Sequence, residues 1–262
     1  MIENIDNTDK GLGKIIPDIY EDGLKSTTQE VGKGLALIPK AINAALAPLR
    51  KWIAQKEYNV AETEKLLALK LENVNAESIV SPESYVALPA LQAISYCINS
   101  AELRDMYANL LSTSMLIDKK ENVHPSFVEI IKQLSPDEAK LLKKISENGK
   151  SYPLIDVQIQ IRDAGYIIKL KNFTLLAEGV CDYPQNIFSY IDNFARLKII
   201  DVSDGVWLND DELYKPIESY KEILAMVNSP LPEGHSWKIV RKKFDVTQYG
   251  RTFIETCVRG VS

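Results

Sequence analysis

Across residues 32–56 the apolar side chains Leu35, Ile38, Ile42, Leu46, Leu49 and Ile53 recur at intervals of three and four. That period places them on one stripe of an α-helix. Alanines fill much of the other faces, and Lys33, Lys40, Asn43, Arg50 and Lys51 supply the polarity. Pro39 and Pro48 each remove a backbone donor and crowd the preceding turn, so a kink or break is expected. From Val60 the segment VAETEKLLALKLENV repeats the pattern through Leu66, Leu67, Leu71 and Val74, before a connection holding Ser81-Pro82. The strongest helical signal is LPALQAISYCINSAELRDMYANLLSTSML, residues 88–116. Pro89 suits a first turn, where its missing N–H costs nothing. Leu91, Ile94 and Ile98 share one stripe. Ser100 is placed to cap a second helix that carries Leu103, Tyr107, Leu110, Leu111 and Ser114.

The stretch VHPSFVEIIKQLSPDEAKLLKKI holds two helix starts within a dozen residues. Pro125 opens the first and puts His124 at or beside its N-cap, with Phe127, Ile130, Ile131 and Leu134 as a short apolar face. Ser135, Pro136 and Glu138 form a capping box for the second, with acidic residues at the positive end of the helix dipole. Leu141, Leu142 and Ile145 follow, and the helix is expected to end near Gly149. So sharp a turn of the chain suggests a domain boundary near Ser135.

Beyond it the period changes to two. Val157, Ile159 and Ile161 alternate with Asp156, Gln158, Gln160 and Arg162, the pattern of a strand with one buried face. Asp163-Ala164-Gly165 supplies a turn, and Ile168 and Leu170 a return strand. Pro184 opens a helix through Ile187, Ile191, Phe194 and Leu197. It runs into KIIDVSDGVWL, where Asp204-Gly205 signals a hairpin. A helix through Ile217, Tyr220, Leu224 and Val227, the loop SPLPEG, the strand WKIVRKKFDV and a last helix capped by Thr247 complete the chain. These elements predict a mainly α fold with a smaller α+β part: a polar tail over 1–15, a helical bundle over 16–134 and a winged-helix-like domain over 135–262.

Composition narrows the chemistry. The 262 residues carry a net charge of −5, which argues against a protein coated in positive charge for nucleic acid. Cys97, Cys181 and Cys257 are far apart and set among apolar residues, as reduced buried thiols are. The N-terminus is polar and acidic and no long uninterrupted apolar run exists, so a cytoplasmic location is expected. His124 and His235 are the only histidines and join no metal-ligand spacing. No GxSxG elbow is present. GLGK at 11–14 and GKG at 32–34 do not complete a phosphate loop. Asp210-Asp211-Glu212 fits a helix N-terminus. No catalytic, cofactor or metal residue is assigned, no cofactor is expected, and a non-enzymatic protein is the expectation.

Two features bear on partners. Lys238, Arg241, Lys242 and Lys243 crowd one strand, and with Lys140, Lys143 and Lys144 they could form a basic face for phosphates or for a protein. Lysines also blunt exposed sheet edges, and the acidic chain, with no helix that concentrates base-reading residues, favours that explanation. The stripe Leu35, Ile38, Ile42, Leu46, Leu49 and Ile53 could lie on a membrane or a partner once the protein is activated. Burial in a bundle is favoured by the narrowness of the stripe and by neighbouring helices able to cover it.

ELRDMYANLL, HPSFVEIIKQLSPDEAK and the terminal VTQYGRTFIETCV, with AINAALAPLRKWI upstream, resemble the Abi-alpha (abortive infection alpha) family of bacterial proteins. The likeness covers most of the chain from about residue 30 and is poorest over residues 151–235. It implies a setting in phage defence, where an infected cell halts growth or dies before phage matures. No catalytic residue carries over, and the expected partner is an unknown phage or host protein, or a second copy of the chain. The capping box itself is testable: S135A is expected to cost roughly 1 kcal/mol in urea unfolding.

Overall fold

The computed structural model describes residues 37–54, 60–97, 100–149 and 151–261. The side chains of residues 37, 48–54, 60–62, 95, 96 and 148 fall outside that description. So do the expected polar tail, Leu35, and the two glycine-containing stretches at 11–14 and 32–34.

Helix α1, Leu37–Ala54, continues past Pro48, so the proline does not break it. It packs on α2, Val60–Lys70, and α3, Ser84–Tyr96. α3 begins upstream of the expected start and takes Pro89 into its interior. The carbonyl that Pro89 leaves without an intrahelical donor belongs to Tyr85, an exposed residue, so water can replace the lost bond. α4, Ala101–Ser114, starts where Ser100 accepts from the Leu103 amide at 3.3 Å. Every residue from Met106 to Ser114 is buried, which makes α4 the central helix. α5, Ser126–Lys132, and α6, Pro136–Asn148, follow. The expected capping box at α6 is complete: Ser135 Oγ accepts from the Glu138 amide at 3.3 Å, and Glu138 Oε2 accepts from the Ser135 amide at 2.6 Å.

The second half builds a four-stranded antiparallel sheet in the order β2-β1-β4-β3. β1 is Ser151–Ile161, β2 Gly165–Phe173, β3 Ile200–Ser203 and β4 His235–Val246. α7, Ile187–Arg196, precedes β3, and α8, Lys215–Glu218, and α9, Lys221–Val227, precede β4. The single helix expected over 217–227 is therefore two short ones. β1 and β2 form the expected hairpin. Asp204-Gly205 does not: residues after it form no strand, and β3 pairs with distant β4 instead. β4 lies between β1 and β3, but β3 pairs only with Lys243–Val246, so Lys243 is internal while Lys238, Arg241 and Lys242 lie on a stretch with no strand on that side.

Both faces of β1 are covered, which corrects the expectation of one buried face, whereas most of β2 is exposed. Leu154, Ile200, Phe244 and Val246 join the main core, with Tyr152 stacked on Phe244 at 5.0 Å. Ile155 and Val157 point the other way into a second cluster with Tyr214, Ile217 and Ile223. The main cluster extends from Ile38 to Cys257 and runs straight through the region of Ser135. The chain is mixed α+β with a core continuous across the expected boundary.

The last helix, α10, Gln248–Phe253, widens into a π-helical stretch, Ile254–Arg259. Thr247 caps it by accepting from the Gly250 amide at 2.8 Å. A Cβ at Gly250 would overlap the Ile199 carbonyl, so this helix can sit against Ile199 only because residue 250 has no side chain. Gly→Ala inside a helix ordinarily stabilises by about 1 kcal/mol. Here G250A is expected to destabilise by about 3 kcal/mol, read as a lower urea midpoint.

Candidate functional site

The basic residues singled out in the sequence do not form one face. Lys242 is only 2% exposed. A buried ammonium must be paired, and Lys242 Nζ meets Asn172 Oδ1 at 2.8 Å, Asp204 Oδ1 at 2.8 Å and Asp156 Oδ2 at 3.4 Å. Asp156 in turn accepts from the Asn172 amide at 2.8 Å, where β2 bulges and Asn172 takes a positive φ of 57°. β1, β2, β4 and the turn after β3 thus converge on one lysine, and Lys242 is corrected from a surface contact to an internal tie. Arg241 is also committed. It grips Glu218 at 2.6 and 3.0 Å, reaches Asp211 at 2.5 Å and lies over the Tyr214 ring at 4.9 Å. Lys243 pairs with Asp245 at 2.9 Å, and Lys238 alone of this group is exposed.

Lys140, Lys143 and Lys144 do come together, in a cleft of about 670 Å³ between α2, α4, α6 and residues 179–180. None of the β4 lysines lines it. Arg104 adds a fourth cation, against the acids Glu102, Asp105 and Glu147. Lys140 bonds Asp182 at 2.8 Å and Lys144 lies 3.8 Å from Glu147. Among the described residues, Lys143 and Arg104 make no ion pair. Charges of both signs in near balance suit a complementary pattern on another protein better than a run of phosphates. Sequence reasoning missed Glu102, Arg104 and Asp105 as surface groups, although they sit in the ELRD motif, because helical period alone does not say which polar face meets a cleft.

One wall of the cleft is held by the N-terminus of α6. The Asp137 carboxylate accepts from the Asp182 and Tyr183 amides, both at 2.8 Å, and from the Tyr190 hydroxyl at 2.9 Å. Burial pushes its pKa up, but those donors and Lys140 overcome it and hold Asp137 below the ordinary 3.8. Burial and the same carboxylate push Tyr190 up to about 12. Asn193 of α7 donates to Glu138 Oε1 at 2.6 Å and to the Gln133 carbonyl at 2.9 Å, which joins the capping box to the next layer.

His124, one residue before the Pro125 N-cap of α5, has a structural bond: its Nδ1 accepts from the Ser126 amide at 3.2 Å. Ser126 Oγ links on to the Tyr249 hydroxyl. Phe127 beneath packs on Phe253 at 5.3 Å. Burial raises the pKa of all three thiols, to about 11 for Cys181, which keeps them protonated and poorly nucleophilic. Ile38, Ile42 and Leu46 of the apolar stripe are inside the core, while the side chains of Leu49 and Ile53 lie outside the described residues. Among the described residues, no cluster of His, Cys, Asp or Glu could hold a metal ion, and no helix is long and apolar enough to cross a membrane.

The motif segments thus meet in space: ELRDMYANLL lies against the C-terminal helix, and HPSF packs on its aromatic residues. The abortive infection alpha family profile matches residues 55–257, most of the chain. The chain belongs to the abortive infection alpha family. No curated protein and no solved structure matches it. The Abi-alpha match starts just past α1 and ends within the π-helical stretch, so it takes in the sheet, the cleft and the Lys242 tie.

Two predictions follow from this electrostatic frame. A carboxylate held below its unfolded pKa contributes stability that is present above that value and lost as pH falls through the folded one. Asp137, Asp204 and Asp245 are all held low, so the melting temperature should fall as pH drops below about 4, and less steeply in D137N. D156A, which strips a buried lysine of a counter-ion, should cost about 3 kcal/mol in chemical unfolding.

Proposed function

We propose that this chain is a non-enzymatic, cytoplasmic antiphage defence protein that acts by binding a phage or host protein at the α2–α4–α6 cleft. The family supports the defence setting. The observation that carries the binding reading is that the cleft is lined from the same segments that carry the family likeness: Glu102, Arg104 and Asp105 from one, Ala139 and Lys140 from another. Within those segments Asp105 and Lys140 pair with Lys70 and Asp182, and Ser135, Asn109 and Thr247 are occupied in capping and packing bonds, which leaves Arg104 without an ion pair among the described residues. In this reading the helical half supplies the effector or oligomerisation element, and the sheet half buttresses the sensing surface.

A winged-helix regulator of nucleic acid has less support, since Lys242 is internal and Arg241 and Lys243 are engaged by carboxylates. A membrane-acting helix has less support while Ile38, Ile42 and Leu46 are covered. Phage plating on cells carrying variants tests the proposal. R104E with K143E should abolish protection while leaving the melting temperature within about 2 °C of wild type. H124A should protect normally. Full protection by a stable R104E/K143E protein would remove the cleft from the mechanism.

A further inference from the structure

β2 stands at one end of the sheet, and among the described residues no strand pairs with its outer side. An open edge offers a row of backbone donors and acceptors to any extended segment that can pair with them, and lysines, bulges and prolines are what discourage such pairing. Lys169 stands at an irregularity of the ladder to β1 and blunts one end of β2, which contains no proline. The other end is unguarded. Tyr166, Ile167 and Ile168 follow one another with 59%, 46% and 42% of their surface exposed. Tyr166 and Ile168 stand opposite Gln160 and Gln158 on one face of the sheet, and Ile167 opposite Ile159 on the other. Apolar surface is thus open on both faces of one edge, and a strand added alongside would cover both at once.

The sequence of β2 meets the requirements of that added strand. A two-fold axis perpendicular to the sheet keeps each face on its own side, so a second β2 can pair antiparallel only in registers that match residues of the same face. With the axis at Ile167, this residue meets its own counterpart and Tyr166 meets Ile168 in both directions, so every member of the apolar triplet opposes an apolar side chain. Asp163, in the turn before β2, then comes to the end where the second copy presents Lys169 and Lys171. Moving the axis to Ile168 would set each Ile167 against a lysine, and moving it to Lys169 would set two lysines face to face. Asp163 and Lys169 make no ion pair among the described residues, so both charges are available.

We propose that the chain self-associates through β2: two copies pair antiparallel about Ile167 and join their four-stranded sheets into one. The charge pattern selects the occupant, because an apolar triplet with an acid before it and lysines after it is complementary to its own reverse. The contact is small beside a permanent interface, so a reversible dimer is expected. No residue of β2 lines the cleft, so the inference goes beyond the cleft reading and does not depend on it.

Light scattering during size exclusion of the full chain, across a concentration series, tests the proposal. The wild type should reach the mass of two chains, and Ile167→Lys should stay at the mass of one with an unchanged melting temperature. Tyr166→Glu, on the opposite face, supplies the same reading if Ile167→Lys does not fold. Asp163→Lys should move dimerisation to higher concentration, and adding Lys169→Glu should move it back. Lys171 is left in place because it lies close enough to Asp204 to lower the pKa of that carboxyl. A wild type that stays monomeric up to its solubility limit would overturn the proposal. So would a dimer that Ile167→Lys or Tyr166→Glu leaves intact, a dimer indifferent to Asp163→Lys, or growth into larger particles with no defined dimer.

Discussion

A buried stretch of helix must find a partner for each polar group it carries, and α4, buried from Met106 to Ser114, takes Asn109, Ser112, Thr113 and Ser114 into the core. Ser112 and Ser114 turn back onto the carbonyls of Asn109 and Leu111 at 3.0 and 2.7 Å. Asn109 and Thr113 reach outward instead. The Asn109 amide donates to the carbonyls of Cys257 at 3.0 Å and Val258 at 3.1 Å, and Thr113 to that of Thr256 at 3.3 Å. These acceptors lie near the end of the C-terminal helix, where terminal carbonyls otherwise lack partners. The buried polar side chains of α4 and the open carbonyls of the C-terminal helix thus satisfy each other. Gly260, at a positive φ of 71°, ends the helix against Asn109, where a Cβ would collide with that side chain.

The rest of the architecture follows from that closure. With the C-terminal helix locked on α4, Thr247 and Gly250 are brought against Ile199, and Phe253 against Phe127. β4, which leads into this helix, is thereby placed in the middle of the sheet, where β1 pairs along its whole length. A central strand with a buried lysine then requires partners for it, and the buried Asp156 and Asn172, with Asp204 at the surface, meet that need. The surface cleft is a by-product of the same arrangement, since α4 and α6 form its floor and wall.

Much of the helical half was legible in the chain. The stripe of α1, the Ser100 cap, the Ser135/Glu138 box and the Thr247 cap depend on residues within a turn or two of each other, and local geometry suffices to specify them. The β1–β2 hairpin was legible for the same reason. The Asp204-Gly205 signal misled, because a turn sequence permits a hairpin but the adjoining segment, with no strand of its own, left β3 to pair elsewhere. The candidate basic face failed similarly. Charge spacing placed Lys242 on a surface, whereas its carboxylate partner Asp156 lies 86 residues away in sequence.

From its sequence alone, this protein has the capped starts of α4, α6 and α10, much of its apolar periodicity and its family likeness. These are short-range properties, set by hydrogen bonds and periodicities within a few residues. Only the tertiary structure decided that α4 would be the central helix, that β4 would be internal, and that the core would run unbroken past Ser135. It also decided which lysines face a cleft and which are sealed inside. Burial and counter-charge come from segments distant along the chain, and no local pattern specifies which of them will meet.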